Sequence, residues 1–261
     1  MRTQRQGGAA AFSETADAYQ RTMALALAPV AAEVVRRAAL QPGETVIDVG
    51  CGTGNAAALA VGAGRRVTGL DAAPGMLAIA RERVPEATFV EADFTALPLE
   101  DGHADVTLAA HALLFAADRV AALREWLRVT RAGGRISISV PGPGDVVPST
   151  VLGDVYDAYG IEWGDDYPTP EDVAAWATEA GWTDVELAND PGMGIPLADD
   201  EAFRTWLRVG ARNRLTGTWE PERREAFARD LMAAAPRDEN GGYRLPFGAI
   251  YLTGVRGTTG T

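Results

Sequence analysis

The chain has 261 residues, with 36 acidic and 24 basic side chains and a formal net charge of −12. That balance argues against a binder of nucleic-acid backbone, which carries a basic face, and because every Lys-or-Arg position reads as Arg, a Schiff-base lysine and a P-loop lysine are excluded. One cysteine, Cys51, excludes an intrachain disulfide and a multi-cysteine metal cluster, and with only His103 and His111 a zinc site would lean on carboxylates.

In chain order, residues 22–40 predict a helical run interrupted at Pro29. Residues 45–49 (TVIDV) predict a short buried strand that ends in the glycine-rich turn 50–54, and helix resumes over 55–63. A second strand is expected over 66–70, then a helix over 74–84 with Pro74 at its first position. Strands follow at 87–91 and 104–110, an amphipathic helix at 119–130 closed by Gly133 and Gly134, and a fifth strand at 135–140. Residues 141–148 read as loop. Thr169, followed by Pro170, Glu171 and Asp172, forms an N-cap signature for a helix over 170–180 that Gly181 stops. A sixth strand (183–188), two helices (199–212 and 221–234) and a last strand (247–255) complete the reading. No repeat is present. Strand–helix alternation predicts an α/β fold with a parallel sheet covered by helices, and 190–246 forms an insertion between the last two strands, a common position for a lid.

The N-terminal residues lack the apolar core of a secretory signal, and no stretch approaches 18 uncharged apolar residues. The cytoplasm is therefore the expected location, with no membrane partner.

The strongest local signal is Asp48-Val49-Gly50-Cys51-Gly52-Thr53-Gly54-Asn55, where a strand meets a helix. Glycines there allow positive φ and close approach of a ligand to the backbone. The spacing is G-x-G-x-G, not the G-x-G-x-x-G of pyrophosphate binding; the bland alternative is a tight strand-to-helix turn. Asp71 ends the second strand, at the position from which a carboxylate takes ribose hydroxyls; the alternative is a cap for helix 74–84. Asp93, with Phe94 beside it, ends the third strand, where an acid can accept from an adenine amino group and an aromatic can flank the ring.

Taken together, these residues resemble a class I S-adenosylmethionine-dependent methyltransferase, in style the small-molecule and ubiquinone/menaquinone-biosynthesis type. The resemblance rests on VIDVGCGTGNAA (46–57), GLDAAPGMLAIAR (69–81), EADFTALPLEDGHADV (91–106) and LREWLRVTRAGGRI (123–136), and is loose over 190–246. One departure is Arg131-Ala132, where the family shows Lys-Pro before its Gly-Gly. The resemblance implies a Rossmann-like, seven-stranded, mostly parallel sheet with helices on both faces and a helical lid between the last two strands. Residues 1–40 become an N-terminal helical segment that covers the cofactor, 41–189 the S-adenosylmethionine-binding core, 190–246 the lid, and 247–261 the last strand and a flexible tail. It further implies that Gly50, Gly52 and Gly54 line the methionine part with Asp48 at the base of the turn. Asp71 would hold the ribose, Ala72 and Met76 pack on the adenine, Asp93 and Phe94 read its edge, Tyr19 cover the cofactor, and His111 lie near the reactive sulfur.

The function implied is methyl transfer from S-adenosylmethionine, giving S-adenosylhomocysteine, to a small hydrophobic acceptor at O, N, C or S. The alternative is an enzyme of the same fold that binds the cofactor but catalyses a cyclisation or rearrangement. No metal is implied, no nucleic-acid partner, and a monomer or homodimer is expected. His111 is the candidate base, or else a wall of the pocket; His103 reads as solvated and Cys51 as a small buried filler. In the lid, Phe203, Trp206 and Leu207, with Arg204, Arg208, Arg212 and Arg214 beside them, and Tyr156, Tyr159, Trp163 and Tyr167 earlier, read either as a packed helical cap or as an aromatic pocket for the acceptor.

Overall fold

The computed structural model describes residues 8–142, 148–161, 167–190, 194–208 and 216–258, and its central strand is short and sealed on both faces. All five residues of β1 (Thr45–Val49) are buried, as a central strand of a helix-covered parallel sheet requires. β2 (Arg66–Asp71), β3 (Thr88–Glu91), β4 (Ala104–Ala110), β5 (Thr130–Pro141), β6 (Trp182–Asp190) and a last strand, Ala249–Arg256, complete the main sheet. Between β6 and that last strand lie two further short strands, β7 (Ile195–Leu197) and β8 (Tyr243–Leu245), so the last strand is β9. Among the described residues the order is β3-β2-β1-β4-β5-β9-β6, seven strands in all. β1 pairs in parallel with both β2 and β4, and β4 with β5; β9 runs antiparallel to β5 and β6. The chain winds one way through β1, β2 and β3 and then restarts on the other side of β1 with β4. This switch opens a crevice at the carboxyl ends of β1 and β4, the usual ligand position of such sheets.

Helices cover both faces. The short helices α1 (Ala9–Glu14), α2 (Ala16–Arg21) and α3 (Met23–Ala26) lead into α4 (Ala28–Ala38), and α5 (Asn55–Ala60) and α6 (Pro74–Arg83) follow β1 and β2. Val30 and Val34 of α4, Ala57 of α5 and Leu77 of α6 are buried in one core with Val46, Val106 and Leu108. On the opposite face, α7 (Arg119–Val129) and α9 (Pro170–Ala180) place Leu123, Trp126, Val173 and Ala177 against Ile47, Val49, Ile136 and Ile138. Pro29 does not kink one long helix. It lies in the first turn of α4, where proline is tolerated because its missing N–H has no helical partner.

Three features depart from the sequence reading. A helix, α8 (Pro148–Ala158), occupies part of the stretch between β5 and α9. The insertion between β6 and β9 is not purely helical: besides α10 (Asp200–Leu207) and α11 (Pro221–Ala234) it holds the antiparallel pair β7–β8. Those runs have three residues each and β7 contains Pro196, too short and too irregular for an alternation signal. Finally, α10 ends at Leu207; Arg212 and Arg214 lie outside the described residues, as does Trp163.

The N-cap signature at Thr169 is realised as a capping box. The Thr169 hydroxyl accepts from the Asp172 N–H at 3.2 Å, the Asp172 carboxylate accepts from the Thr169 N–H at 2.9 Å, and Gly181 closes α9 at φ +104°. Thr169→Ala removes one arm and is expected to lower unfolding free energy by about 1 kcal/mol. Urea denaturation checks this; an unchanged midpoint would mean that the cap adds nothing here.

Candidate active site

The site begins where β1 stops. The N–H groups of Gly50 and Cys51 both donate to the Leu70 carbonyl, at 2.7 and 3.0 Å, which bends the chain sharply off the sheet. Gly50, Gly52 and Gly54 all take positive φ, at +67°, +53° and +84°, but they need glycine for different reasons. A Cβ on Gly50 would collide with the Cβ of Ala112. One on Gly54 would press on Ala80 and Val84, both at 3.4 Å, so this glycine serves helix-to-strand packing and does not face the crevice. One on Gly52 would meet nothing nearer than the Tyr19 ring at 4.0 Å. Gly52 is thus the bare backbone position beside open space.

That space is a narrow cleft of about 40 Å³, partly open to solvent, whose floor is Asp48, Gly50, Gly52 and Thr53 and whose sides are Tyr19 and His111. Leu27, Val30 and Ala31, from the end of α3 and the start of α4, form an apolar wall. Sequence reasoning placed Tyr19, Asp48, Gly50, Gly52 and His111 here, and the structure brings those five together. It missed the apolar wall and Thr53.

Asp48 is buried; its carboxylate accepts from the Ala57 N–H at 3.1 Å, and burial pushes its pKa up to about 7, with the nearby Asp71 charge adding to the shift. Asp71 stands at the end of β2. Its Oδ2 accepts from the Gly52 N–H at 2.8 Å and its Oδ1 from the Ala73 N–H at 2.9 Å, so one carboxylate ties the glycine turn to the start of α6. Asp71 therefore steadies the start of α6 and reaches the cleft through its bond to Gly52. Burial raises its pKa against the pull of those N–H donors. Burial, together with Asp71, likewise raises the Tyr19 hydroxyl to about 12.

The adenine-side expectations fare differently. Met76 is 2% exposed and packs with Ala16 and Ala73 beneath α2, so it meets the chain's own N-terminal helices and does not line the cleft. α1 lies on the start of α6, where the Ser13 hydroxyl accepts from the Gly75 N–H at 2.6 Å. Ala72 is half-buried beside Asp71 and outside the cleft lining. Asp93 is exposed, and its Oδ1 accepts from the N–H and hydroxyl of Thr95 at 2.7 and 2.6 Å, which hold its pKa below the usual carboxylate value. Phe94 is half-buried against the α7-side core, and its carbonyl accepts from Trp126 Nε1 at 2.8 Å. These residues follow the strand ends, yet local turn bonds and packing claim their side chains.

His111 directly follows β4 and adopts φ +58°, a left-handed conformation unusual for a non-glycine residue. It is 7% exposed, its Nδ1 lies 2.9 Å from the Ser139 hydroxyl, and its ring meets Phe247 edge-on at 5.3 Å. Its Nε2 is buried without a partner among the described residues, and burial pushes its pKa down to about 4, so the ring is neutral at pH 7. Ser137 and Ser139 alternate with Ile136, Ile138 and Val140 in the buried half of β5, but that alternation does not point to His111. Cys51 is buried, with its thiol pKa raised by burial, as a filler would be; His103 is exposed.

In the insertion, Phe203, Trp206 and Leu207 are buried, as are Phe227, Leu231 and Met232. Tyr156 and Tyr159 pack on Phe227 at 5.7 and 5.0 Å, whereas Tyr167 sits against the α7-side core, so the tyrosines do not form one cluster. Arg204 is paired with Glu225 at 2.7 Å and Arg208 is exposed. The helical-cap reading accounts for these side chains.

Residues 47–138 match the methyltransferase-domain family. A demethylmenaquinone methyltransferase of Beutenbergia cavernae is 33% identical over 175 residues, covering 60% of this chain and 73% of that one. The chain belongs to the class I S-adenosylmethionine-dependent methyltransferases. A malonyl-[acyl-carrier protein] O-methyltransferase of Serratia marcescens is 37% identical over 142 residues, and there the match covers 54% of this chain and only 55% of that relative. Two solved structures share the fold: the [4+2]-cyclase SpnF, with TM-score 0.59, 19% identity and coverage of 88% and 82%, and a phosphoethanolamine N-methyltransferase of Haemonchus contortus bound to S-adenosyl-L-methionine, with TM-score 0.54, 17% identity and coverage of 87% and 52%. The family's cofactor, S-adenosylmethionine, suits what is present here: a glycine whose missing side chain leaves open space, a strand-end acid hydrogen-bonded to that glycine, and a cleft onto which that glycine opens. Among the described residues no helix is long and apolar enough to cross a membrane.

Proposed function

We propose that the chain transfers the methyl group of S-adenosylmethionine to a small hydrophobic acceptor, at an oxygen, nitrogen, carbon or sulfur, by in-line displacement. The observation that carries this reading is the convergence of Asp48, Gly50, Gly52 and His111 with an apolar wall on one cleft at the switch point of the sheet. In this reading Gly50, Gly52 and Asp48 border the methionine part and Tyr19 covers it, while Gly54 supports the turn from behind. The Asp71 carboxylate uses two acceptor positions on Gly52 and Ala73 and keeps others for ribose hydroxyls. Ala72 and Asp93 border the adenine side, and Met76 and Phe94 act beneath that surface. The insertion over 190–246 is a lid over the acceptor, the chain acts in the cytoplasm as a monomer or homodimer, and neither nucleic acid nor membrane is a partner.

When bound, S-adenosylmethionine supplies a methyl on a sulfonium cation, an electrophile that needs no metal. What the protein adds is position: holding two reactants in a near-attack arrangement is worth about 7–11 kcal/mol. Leu27, Val30 and Ala31 exclude water from one side of the cleft, and Tyr19 does so from another.

Isothermal titration with S-adenosylhomocysteine tests the cofactor site, and Asp71→Ala is expected to weaken binding by about tenfold or more, equivalent to ~1.4 kcal/mol for loss of charge-assisted hydrogen bonds. An unchanged affinity would remove the ribose assignment. The fold shared with SpnF supports one second reading, cofactor binding with cyclisation or rearrangement of the substrate. Substrate conversion without label from methyl-labelled S-adenosylmethionine would select it.

A further inference from the structure

Resting on the reading that the acceptor enters this cleft, we infer that His111 is fixed as its Nε2–H tautomer and offers a neutral hydrogen-bond donor to an oxygen of the acceptor, which reacts as an enolate or phenolate. The argument starts from Ser139. Its hydroxyl is fully buried and has two neighbours among the described residues: the His111 N–H, which donates to it at 3.2 Å, and His111 Nδ1 at 2.9 Å. The same His111 N–H also donates to the Ser139 carbonyl at 3.0 Å. The hydroxyl proton therefore has one acceptor in reach, the Nδ1 lone pair. Were Nδ1 protonated instead, the ring would donate to Ser139, the buried hydroxyl proton would be left with no acceptor, and Nε2 would be left with an unused lone pair. With Ser139 donating, only the Nε2–H awaits a partner.

The ring is held to that orientation. Its backbone is bonded twice to Ser139 and its edge rests on Phe247. Nε2 is a buried polar atom, unpartnered among the described residues, of a residue that lines the cleft. A neutral N–H donor suits an acceptor oxygen that carries negative charge. It does not suit a thiol or a protonated amine, which need a group to take their proton. The acceptor arrives already ionised, so the new C–C or O–C bond takes its pair from the enolate or phenolate. The breaking S–C bond leaves its pair on sulfur, and no proton is transferred in the cleft. His111 then discriminates among acceptors by binding the oxygen, not by abstracting a proton.

The first test needs no acceptor. In ¹⁵N-histidine-labelled His103→Gln protein saturated with S-adenosylhomocysteine, long-range proton–nitrogen spectra at pH 7 are expected to show a protonated Nε2 and a bare Nδ1. The reverse pattern overturns the inference, as does the same pattern persisting undiminished in Ser139→Ala. The second test measures label transfer from methyl-labelled S-adenosylmethionine to a 1,3-diketone and a hydroxyquinone, with a primary amine and a thiol of similar size alongside. Label is expected in the first pair only. His111→Ala is expected to reduce it about 10- to 100-fold, the loss of a hydrogen bond to a charged group. His111→Asn, which donates an N–H and tolerates positive φ, is expected to retain more than the alanine variant. Label in the amine or thiol, in none of the four, or equal losses in the two variants overturns the acceptor class. Failure of the wild-type protein to bind S-adenosylhomocysteine would instead sink the cofactor reading beneath it.

Discussion

Gly50→Ala and Gly52→Ala are expected to fail in different assays although the two positions are neighbours in one turn. At Gly50 a side chain must adopt φ +67° and its Cβ must displace Ala112. Left-handed strain and overpacking each cost about 1–3 kcal/mol, so the variant should lose about 2–6 kcal/mol of a total near 5–15 kcal/mol. For a chain of this size the thermal midpoint should fall by about 4–24 °C. At Gly52 the strain at φ +53° remains, but the new Cβ meets only the Tyr19 ring at 4.0 Å. Its stability loss should stay near 1–2 kcal/mol, while affinity for S-adenosylhomocysteine falls by about tenfold or more because the methyl group stands in the cleft. Thermal melts and titration calorimetry on both variants separate the outcomes. Equal destabilisation, or full binding by Gly52→Ala, would show that the cleft floor has been misassigned.

The same contrast explains how far the sequence could be read. The seven-stranded sheet and its helix layers were legible because most apolar runs are short and bounded by Gly, Pro or an N-cap residue; Thr169 and Gly181 even mark both ends of one helix. The glycine turn was legible as a motif, but spacing does not say which side of the backbone each Cα faces. Gly52 therefore proves open and Gly54 packed, although the motif treats them alike. Met76 was misjudged because a residue one turn into α6 meets whatever covers the helix, and here that is α2, from far earlier in the chain. Phe94 was misjudged for a similar reason, since α7 and its Trp126 claim it. Ser139 went unnoticed because it lies 28 residues from His111, and nothing local in either segment announces the pairing. The β7–β8 pair has too few residues to show a period.

Asp48→Asn is expected to remove the loss of stability with rising pH that the buried Asp48 carboxyl imposes on the unliganded protein. Burial raises the Asp48 pKa from 3.8 to about 7 on folding. The folded carboxyl thus keeps its proton across a range where the unfolded one has lost it. Its contribution is fully present below about pH 4 and is lost as pH rises through 7. His111 works in the opposite sense: its pKa falls from 6.5 to about 4, so its contribution is present above pH 6.5 and is lost as pH falls towards 4. In the wild-type chain the two slopes oppose each other between about pH 4 and 6.5, and above that the Asp48 loss stands alone. Asparagine keeps the acceptor for the Ala57 N–H and cannot ionise, which removes the Asp48 slope and leaves the histidine slope unopposed by it. The stability of Asp48→Asn relative to wild type should therefore grow with pH by about 1.4 kcal/mol per unit at most, reaching on the order of 4 kcal/mol by pH 7.5. Comparing the two proteins cancels the carboxylates that both retain, including Asp71, whose pKa is also raised. Urea denaturation at half-unit pH steps measures the difference. A constant difference across the range would mean that Asp48 titrates as an ordinary solvated carboxylate, which would contradict its burial at the base of the turn.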